Sequence, residues 1–382
     1  MTYIFETDEH AAVREQARRF AEREIEPNAH GWEEANQFPD ELYKKAADAG
    51  LLGLGYPEEW GGAGGDYSHN FVASEELLVR GTSTGTVIGL GSLSISIPPI
   101  LRFGSDELKD RVVRPMLQGD AIAALAVTEP GGGSDVAALK TRAVRDGDHY
   151  VINGSKTFIT SGARAKYLTV AVRTGGESHD GISLIVVDSA TPGFRVGRKL
   201  DKTGWWASDT AELFFEDCRV PVENLIGQEG SGFVYTMMNF TWERIMLAAQ
   251  CVAIMKLALS ESHKYVRERS AFGKTLNGHQ VIRHKLAEMS TRLAAASSMV
   301  GETTTRALRG EEDPVLAAKT KNVSTDACSF VCHEATQIHG GYGYMREYIV
   351  ERLYRDARLY PIGGGTREIM NELIAKAEVG RV

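Results

Sequence analysis

FVYTMMNFTWERIMLAAQCVAIMKLALSESHKYVRER, residues 233–269, runs without a proline or a glycine. Those two residues are the strongest interrupters of a helix, so the stretch predicts one long helix. Its partners are expected at about 280–309, 313–338 and 365–378. Upstream, from Ala121 to about Gly230, the hydrophobic period shortens toward two. There KTRAVRDGDHYVING reads as a hairpin about Asp146-Gly147-Asp148, with a second turn expected at Asn153-Gly154. KYLTVAVRT, GISLIVVD and AELFFEDCRV supply further strands rich in β-branched and aromatic residues. Toward the N-terminus the helical period returns. DEHAAVREQARRFAEREIEP is expected to end at Pro27, and DELYKKAADAGLLGLG to be interrupted or ended by Gly50 and Gly53. The turn-rich GYPEEWGGAGGDYS follows, then another helical run through Glu75–Arg80. The chain thus divides into a helical segment 1–120, a β segment 121–230 and a helical segment 231–382.

At 382 residues the chain is too long for one comfortable core, which agrees with this division. A net charge of −8 makes nucleic acid and anionic membranes poor partners. The first residues lack a basic region followed by an apolar run, so no secretory signal is expected. The most apolar stretches, Val87–Leu101 and Ile245–Leu259, carry polar residues and are too short to span a bilayer. A soluble cytoplasmic protein is the expectation. The four cysteines Cys218, Cys251, Cys328 and Cys332 form no Cys-x-x-Cys pair. Cys328 and Cys332, near His333 and His339, do not have a usual zinc spacing, so buried free thiols and no metal are expected.

Five stretches hold residues suited to chemistry, each with a plain structural alternative. AVTEPGGGSD, residues 126–135, exposes backbone N–H groups and the Ser134 hydroxyl to a phosphate or a ring edge, or is a mobile glycine loop. In GSKTFITSGARA, a strand would put Phe158 and Thr160 on one face, able to cover a planar ring, and Thr157 and Ile159 on the other. Glu243 lies between Phe240 and Leu247 on one apolar helix face, where a carboxylate is either paired by a cation from another element or kept for chemistry. In RERSAFGK, Arg267 and Arg269 could meet a pyrophosphate or be solvated charge. In YPIGGGTREIMNELI, Gly363, Gly364 and Gly365 precede a helix whose first N–H groups could hold an anion, with Thr366 as a simple N-cap the alternative.

Taken in order, these stretches resemble the acyl-CoA dehydrogenase family over essentially the whole chain. AVTEPGGGSD matches one family signature, and QIHGGYGYMREY with the following RDAR matches a second. Gly204 through Asp217, with Val220-Pro221 after it, gives a third long match. The resemblance implies an α+β fold: an N-terminal α-helical domain, a central β-barrel-like domain and a C-terminal four-helix bundle, assembled as a homotetramer. It implies FAD, with ring contacts at Ala126, Val127, Thr128, Phe158 and Thr160. Phosphate and adenosine contacts fall to Arg269, Phe272, Gln280, Gln337, Gly340, Gly341, Thr366 and Glu368, partly across a subunit boundary. Arg267 has no such match. The acyl-CoA thioester would meet Ser134, Phe240 and Arg244.

One departure is informative. Many members resemble one another in a catalytic Glu just before Gly-Thr near the C-terminus, and here that position is Gly364. A smaller set, resembling isovaleryl-CoA and long-chain acyl-CoA dehydrogenases, carries the Glu on the long helix before an Arg, as Glu243-Arg244 does. This implies Glu243 as the base for a C2 proton, with a proton affinity raised by burial. The Gly364 N–H is expected to help hold the thioester oxygen. Electrons would pass to an electron-transferring flavoprotein. Gly363, where straight-chain members have Tyr, implies room for bulk such as a methyl at C3. Acyl-CoA oxidases and flavin monooxygenases share the fold, and a flavin-containing binding or DNA-repair-associated relative is the alternative from another class.

Overall fold

The computed structural model describes residues 3–380. Its first helix, Asp8–Phe20, does not stop at Pro27 as expected. The chain widens to a π turn at Ala21–Ile25, tightens to a 3-10 turn at Glu26–Asn28, and resumes as helix Ala29–Glu34. Pro27 sits in the opening of a new turn, where its missing N–H removes no helical bond, so it redirects the chain instead of ending it. Helix Glu41–Asp48 gives way at Gly50, whose φ of +67 suits a glycine. Helix Tyr67–Gly81 then carries the expected Glu75–Arg80 run.

Both Asp8–Phe20 and Tyr67–Gly81 begin with a capping box that ends in histidine, Thr7 with His10 and Asp66 with His69. The two rings stack at 4.1 Å. His10, Asp66 and His69 are spaced like metal ligands. However, the Nδ1 of each histidine already accepts a cap N–H, at 3.1 Å from Thr7 N and 3.1 Å from Asp66 N, so the cluster is explained as two helix caps.

The middle segment is a seven-stranded sheet: β1 Ala123–Ala126, β2 Arg142–Asp146, β3 His149–Thr160, β4 Tyr167–Arg173, β5 Ile182–Asp188, β6 Phe194–Lys199 and β7 Thr210–Pro221. The strand order is β1-β4-β2-β3-β7-β6, with β5 paired to β4. The hairpin at Gly147 joins β2 and β3 as expected. Asn153-Gly154, however, is not a turn. It is an irregularity inside β3, where register slips between Ile152 and Gly154 against β7. Glycine is required there, because a Cβ would stand 2.6 Å from Thr141 Oγ1. β1 and β6 carried no clear sequence signal, one being short and the other without a buried residue.

The long helix spans Gly232–Glu268, one residue off its expected bounds at each end. Helices Gln280–Leu308 and Pro314–His339 pack on it as expected, whereas Arg367–Val379 packs on Pro314–His339 instead, and an additional short helix, Ile349–Ala357, lies against the long one. Gly232 lets the long helix start against the sheet, since a Cβ would meet the Ser183 carbonyl carbon at 2.5 Å. Contrary to expectation, this helix is long and apolar enough to cross a bilayer, but most of its apolar window is buried in the bundle. Burial, not shortness, is what marks it as a core helix. All four cysteines are buried free thiols. The N-terminal helices and the bundle share one hydrophobic core, while the sheet has a second of its own. The architecture is therefore α+β: helices, a curled sheet, and a helix bundle.

Candidate active site

Glu243 sits in the first third of the long helix. Its Oε2 is buried and has no hydrogen-bond partner. The two cations that bear on it direct their donors elsewhere: Arg244 Nε faces the Gly364 carbonyl at 3.4 Å, and Lys321 Nζ donates to the Gly365 carbonyl at 2.5 Å. Burial pushes the carboxyl up to about 7, while Arg244 and Lys321 hold it down. A carboxylate pinned in a structural ion pair would be shifted the other way.

The glycine loop closes on this carboxylate. A Cβ on Gly364 would stand 3.4 Å from Glu243 Oε1 and 2.5 Å from Leu247 Cδ1. Gly364 also has φ +64, so both its space and its backbone favour glycine. Its N–H donates to no acceptor among the described residues. Gly363 is different: the nearest atoms to a Cβ there are Leu359 O at 3.8 Å and Leu359 Cγ at 4.0 Å, so a side chain is absent where one would fit. Thr366 is the N-cap of Arg367–Val379, its Oγ1 accepting from Ile369 N at 3.3 Å. Glu368 is exposed on the first turn of that helix. Phe240 lies one turn before Arg244, whose guanidinium carbon is 5.9 Å from the ring centre.

A second group forms at the end of β1. Ala126 and Val127 are buried, and Thr128 is partly so. The chain after β1 is fastened to β3 by Thr157 N donating to Thr128 O at 2.9 Å and Lys156 Nζ donating to Val127 O at 2.9 Å. Lys156 is buried and also bonds Glu129 Oε1 at 2.9 Å. The register of β3 against β7 shifts between Lys156 and Ile159. Phe158 takes φ +60 in that shift and is 69% exposed, whereas Thr157 and Ile159 are buried. The bulge, more than simple alternation, turns Phe158 outward. Thr160 is half-buried at the strand end. Ser134 is exposed in a loop that folds back toward Thr128, as a Cβ on Gly133 would be 3.2 Å from Thr128 Cγ2.

The remaining candidates gather elsewhere. Arg269 follows the long helix, its guanidinium 5.9 Å from the Tyr342 ring centre. Phe272 tips the hairpin Ser270–Ala271/Lys274–Thr275 with φ +51 and 96% exposure. Gln280 and Gln337 are exposed, as are Gly340 and Gly341, and Tyr265 OH donates to His339 O at 3.2 Å to tie this corner together. At 1.5 Å per residue, Glu243 and Arg269 are about 39 Å apart along the helix. That length sets the Arg269 corner far from the carboxylate within one chain.

These residues fit a flavin in kind. β1 is the terminal strand of its sheet, Phe158 is an aromatic turned out from a bulge, and Gly364 offers a free N–H. Each suits contact with a flat ring or its polar edge. Sequence reasoning overlooked Lys156 and Lys321. A signal existed for the latter: Ala317, Ser324 and Cys328, four before, three after and seven after it, are the buried stripe of its helix.

Family models for the N-terminal, middle and C-terminal domains of acyl-CoA dehydrogenase match residues 7–120, 124–218 and 230–379. The crystal structure of a probable acyl-CoA dehydrogenase from Mycobacterium abscessus is 51% identical, covers 97% of this chain and 99% of its own, and superposes with a TM-score of 0.96. The mitochondrial long-chain specific acyl-CoA dehydrogenase of Sus scrofa is 40% identical over 97% of this chain and 86% of that one. An acryloyl-CoA reductase (NADH) from Anaerotignum propionicum is 38% identical over 98% and 95%. The chain belongs to the acyl-CoA dehydrogenase family, and is an oxidoreductase of that fold.

Proposed function

We propose that the protein is an FAD-dependent acyl-CoA dehydrogenase. It would form the trans-2 double bond of a fatty or 3-methyl-branched acyl-CoA, as a homotetramer in the cytoplasm. The observation that carries this reading is the Glu243 carboxyl, buried, unpartnered at Oε2 and pushed up to about 7, with Gly364 against its other oxygen. Glu243 takes the proton from C2. A thioester α-proton is far too weakly acidic for a carboxylate in water, so charge developing on the thioester oxygen must be stabilised in a dry site. The free Gly364 N–H is the donor this chain offers, while Ser134, Phe240 and Arg244 orient the CoA thioester.

Ala126, Val127, Thr128, Phe158 and Thr160 would hold the flavin ring. Arg269, Phe272, Gln280, Gln337, Gly340, Gly341, Thr366 and Glu368 would hold the rest of FAD, with contributions from two copies of the chain. When bound, FAD supplies the acceptor for the hydride that leaves C3. An electron-transferring flavoprotein is the expected oxidant of the reduced enzyme. The room beside Gly363 supports bulk at C3.

The reverse direction, reduction of a 2-enoyl thioester, is a second reading. A carboxyl near neutral affinity can give a proton as readily as take one, and a reductase is among the relatives. Anaerobic titration of the yellow protein with straight and 3-methyl saturated thioesters, and of the chemically reduced protein with 2-enoyl thioesters, compares the two directions. Bleaching by saturated thioesters supports dehydrogenation, and no bleaching by any of them sinks it. Oxygen consumption without an added acceptor would mark an oxidase or monooxygenase instead.

A further inference from the structure

Lys321 lies on helix Pro314–His339 with 1% of its surface exposed. A buried ammonium is strongly unfavourable unless an anion compensates it. Its hydrogen bond, however, goes to a neutral acceptor, the Gly365 carbonyl. The groups facing it from the long helix are Glu243, Arg244 and the Cys251 thiol, and the glycine loop closes the remaining side. Of these, Glu243 is the carboxylate. Geometry joins the two residues at one point: a Cβ on Gly364 would be 3.4 Å from Glu243 Oε1 and 3.8 Å from Lys321 Cε. Carboxylate and lysine thus flank the same glycine from two different helices.

We propose that Lys321 is a positioning residue for Glu243: its ammonium stabilises the ionised carboxylate across Gly364, and its bond to the Gly365 carbonyl holds the glycine loop against that carboxylate. This rests on Glu243 being the base. Removal of the C2 proton needs the carboxylate ionised before the thioester binds, in a pocket whose burial opposes ionisation. Arg244 contributes on the same helix but is directed to the Gly364 carbonyl, so the two cations fasten successive carbonyls of one loop. Burial pushes Lys321 down to about 8, which leaves it charged at neutral pH. One side chain would therefore set both the charge on the base and the place of the N–H that faces the thioester oxygen.

The test reads Glu243 directly in the purified full-length protein with the flavin it retains. The infrared carbonyl band of its protonated carboxyl is the one missing from Glu243→Gln. In the wild type this band should titrate near pH 7, and in Lys321→Met about one unit higher, since a nearby opposite charge is lost. Lys321→Gln should shift the band similarly while keeping a donor for Gly365, and Lys321→Arg should leave it near the wild-type position. Amide hydrogen exchange over residues 362–366 should quicken in Lys321→Met more than in Lys321→Gln. A folded Lys321→Met with an unmoved band and unchanged loop exchange overturns the proposal. Should neither neutral variant fold, Lys321→Arg decides it, because a raised band in a variant that keeps the charge contradicts the assignment. Flavin bleaching by saturated thioesters is a separate arm. A shifted band without bleaching in the wild type leaves the lysine–carboxylate coupling standing and removes the dehydrogenase reading; bleaching with an unmoved band does the opposite.

Discussion

At the scale of single residues, the Glu243 carboxyl links function to pH with a definite sign. Its folded-state affinity is raised above the ordinary value of 4.5 to about 7. Stability contributed by the protonated form is therefore complete below the unfolded value and is lost as pH rises through about 7. Glu243→Gln, which cannot ionise, should then be more stable than the wild type at pH 8, by on the order of 1–3 kcal/mol. It should also keep its flavin and bind acyl-CoA while flavin reduction falls by about 10²–10⁴. Reduction at the wild-type rate would remove Glu243 as the base. The wild-type rate itself should decline as pH falls below about 7, because the base must be ionised.

Relocation tests the same geometry. A Cβ on Gly364 would lie 3.4 Å from Glu243 Oε1, so a carboxylate from either backbone can reach one place. Glu243→Gly with Gly364→Glu should recover part of the lost reduction rate, measured by stopped flow. Recovery is limited because Leu247 must swing aside and a side chain at φ +64 costs roughly 1 kcal/mol. No recovery in a folded, flavin-bound double variant counts against the shared position. A carboxylate on an apolar helix face marked Glu243 as unusual in the sequence, but the pattern alone favoured a structural ion pair, and only the family resemblance, with glycine at position 364, singled it out as the base. Lys321 breaks the same pattern, but its significance depends on a loop more than forty residues later, and no helical periodicity reports that meeting.

At the scale of elements, alternation and turn chemistry located most helices and strands, and failed where the backbone departs from regularity. Pro27 and Asn153-Gly154 are strong punctuation, yet the chain absorbs one as a fresh turn and the other as a bulge. Neither outcome is encoded locally, because the neighbouring helix and strand decide whether the chain can continue. The Phe158 bulge is another such case, and Lys156 fastens its inner side. Lys156→Met would leave Glu129 buried without its cation, a loss of about 3–5 kcal/mol. It should lower the thermal midpoint and the flavin content together. An unchanged flavin-to-protein ratio would mean that the Val127–Lys156 fastening does not shape the ring site.

At the scale of the whole molecule, the order helices, sheet, helices was plain from the changing hydrophobic period alone. The distance between the two groups of candidate residues was not. Motifs are read along the chain, and Glu243 and the arginines that open RERSAFGK stood on one predicted helix. Only the length of that helix in space separates a carboxylate near its start from an arginine and an exposed phenylalanine past its end.

In the proposed homotetramer, that separation would make the active sites genetically divisible. If each dinucleotide is gripped by Arg269 of one copy and set beside Glu243 of another, lesions at the two ends of the helix lie in different sites. Chains bearing Glu243→Gln and chains bearing Arg269→Ala should each be inactive alone. Mixed by co-expression, they should form some pockets with both defects and some with neither, the intact ones combining the glutamate of one parent with the arginine of the other. Activity should reappear in the mixture up to about a quarter of the wild-type level if subunits combine at random between adjacent pairs. Two defects confined to the same pocket could never restore each other in this way, so a hybrid population as silent as its parents would return every contact to a single chain.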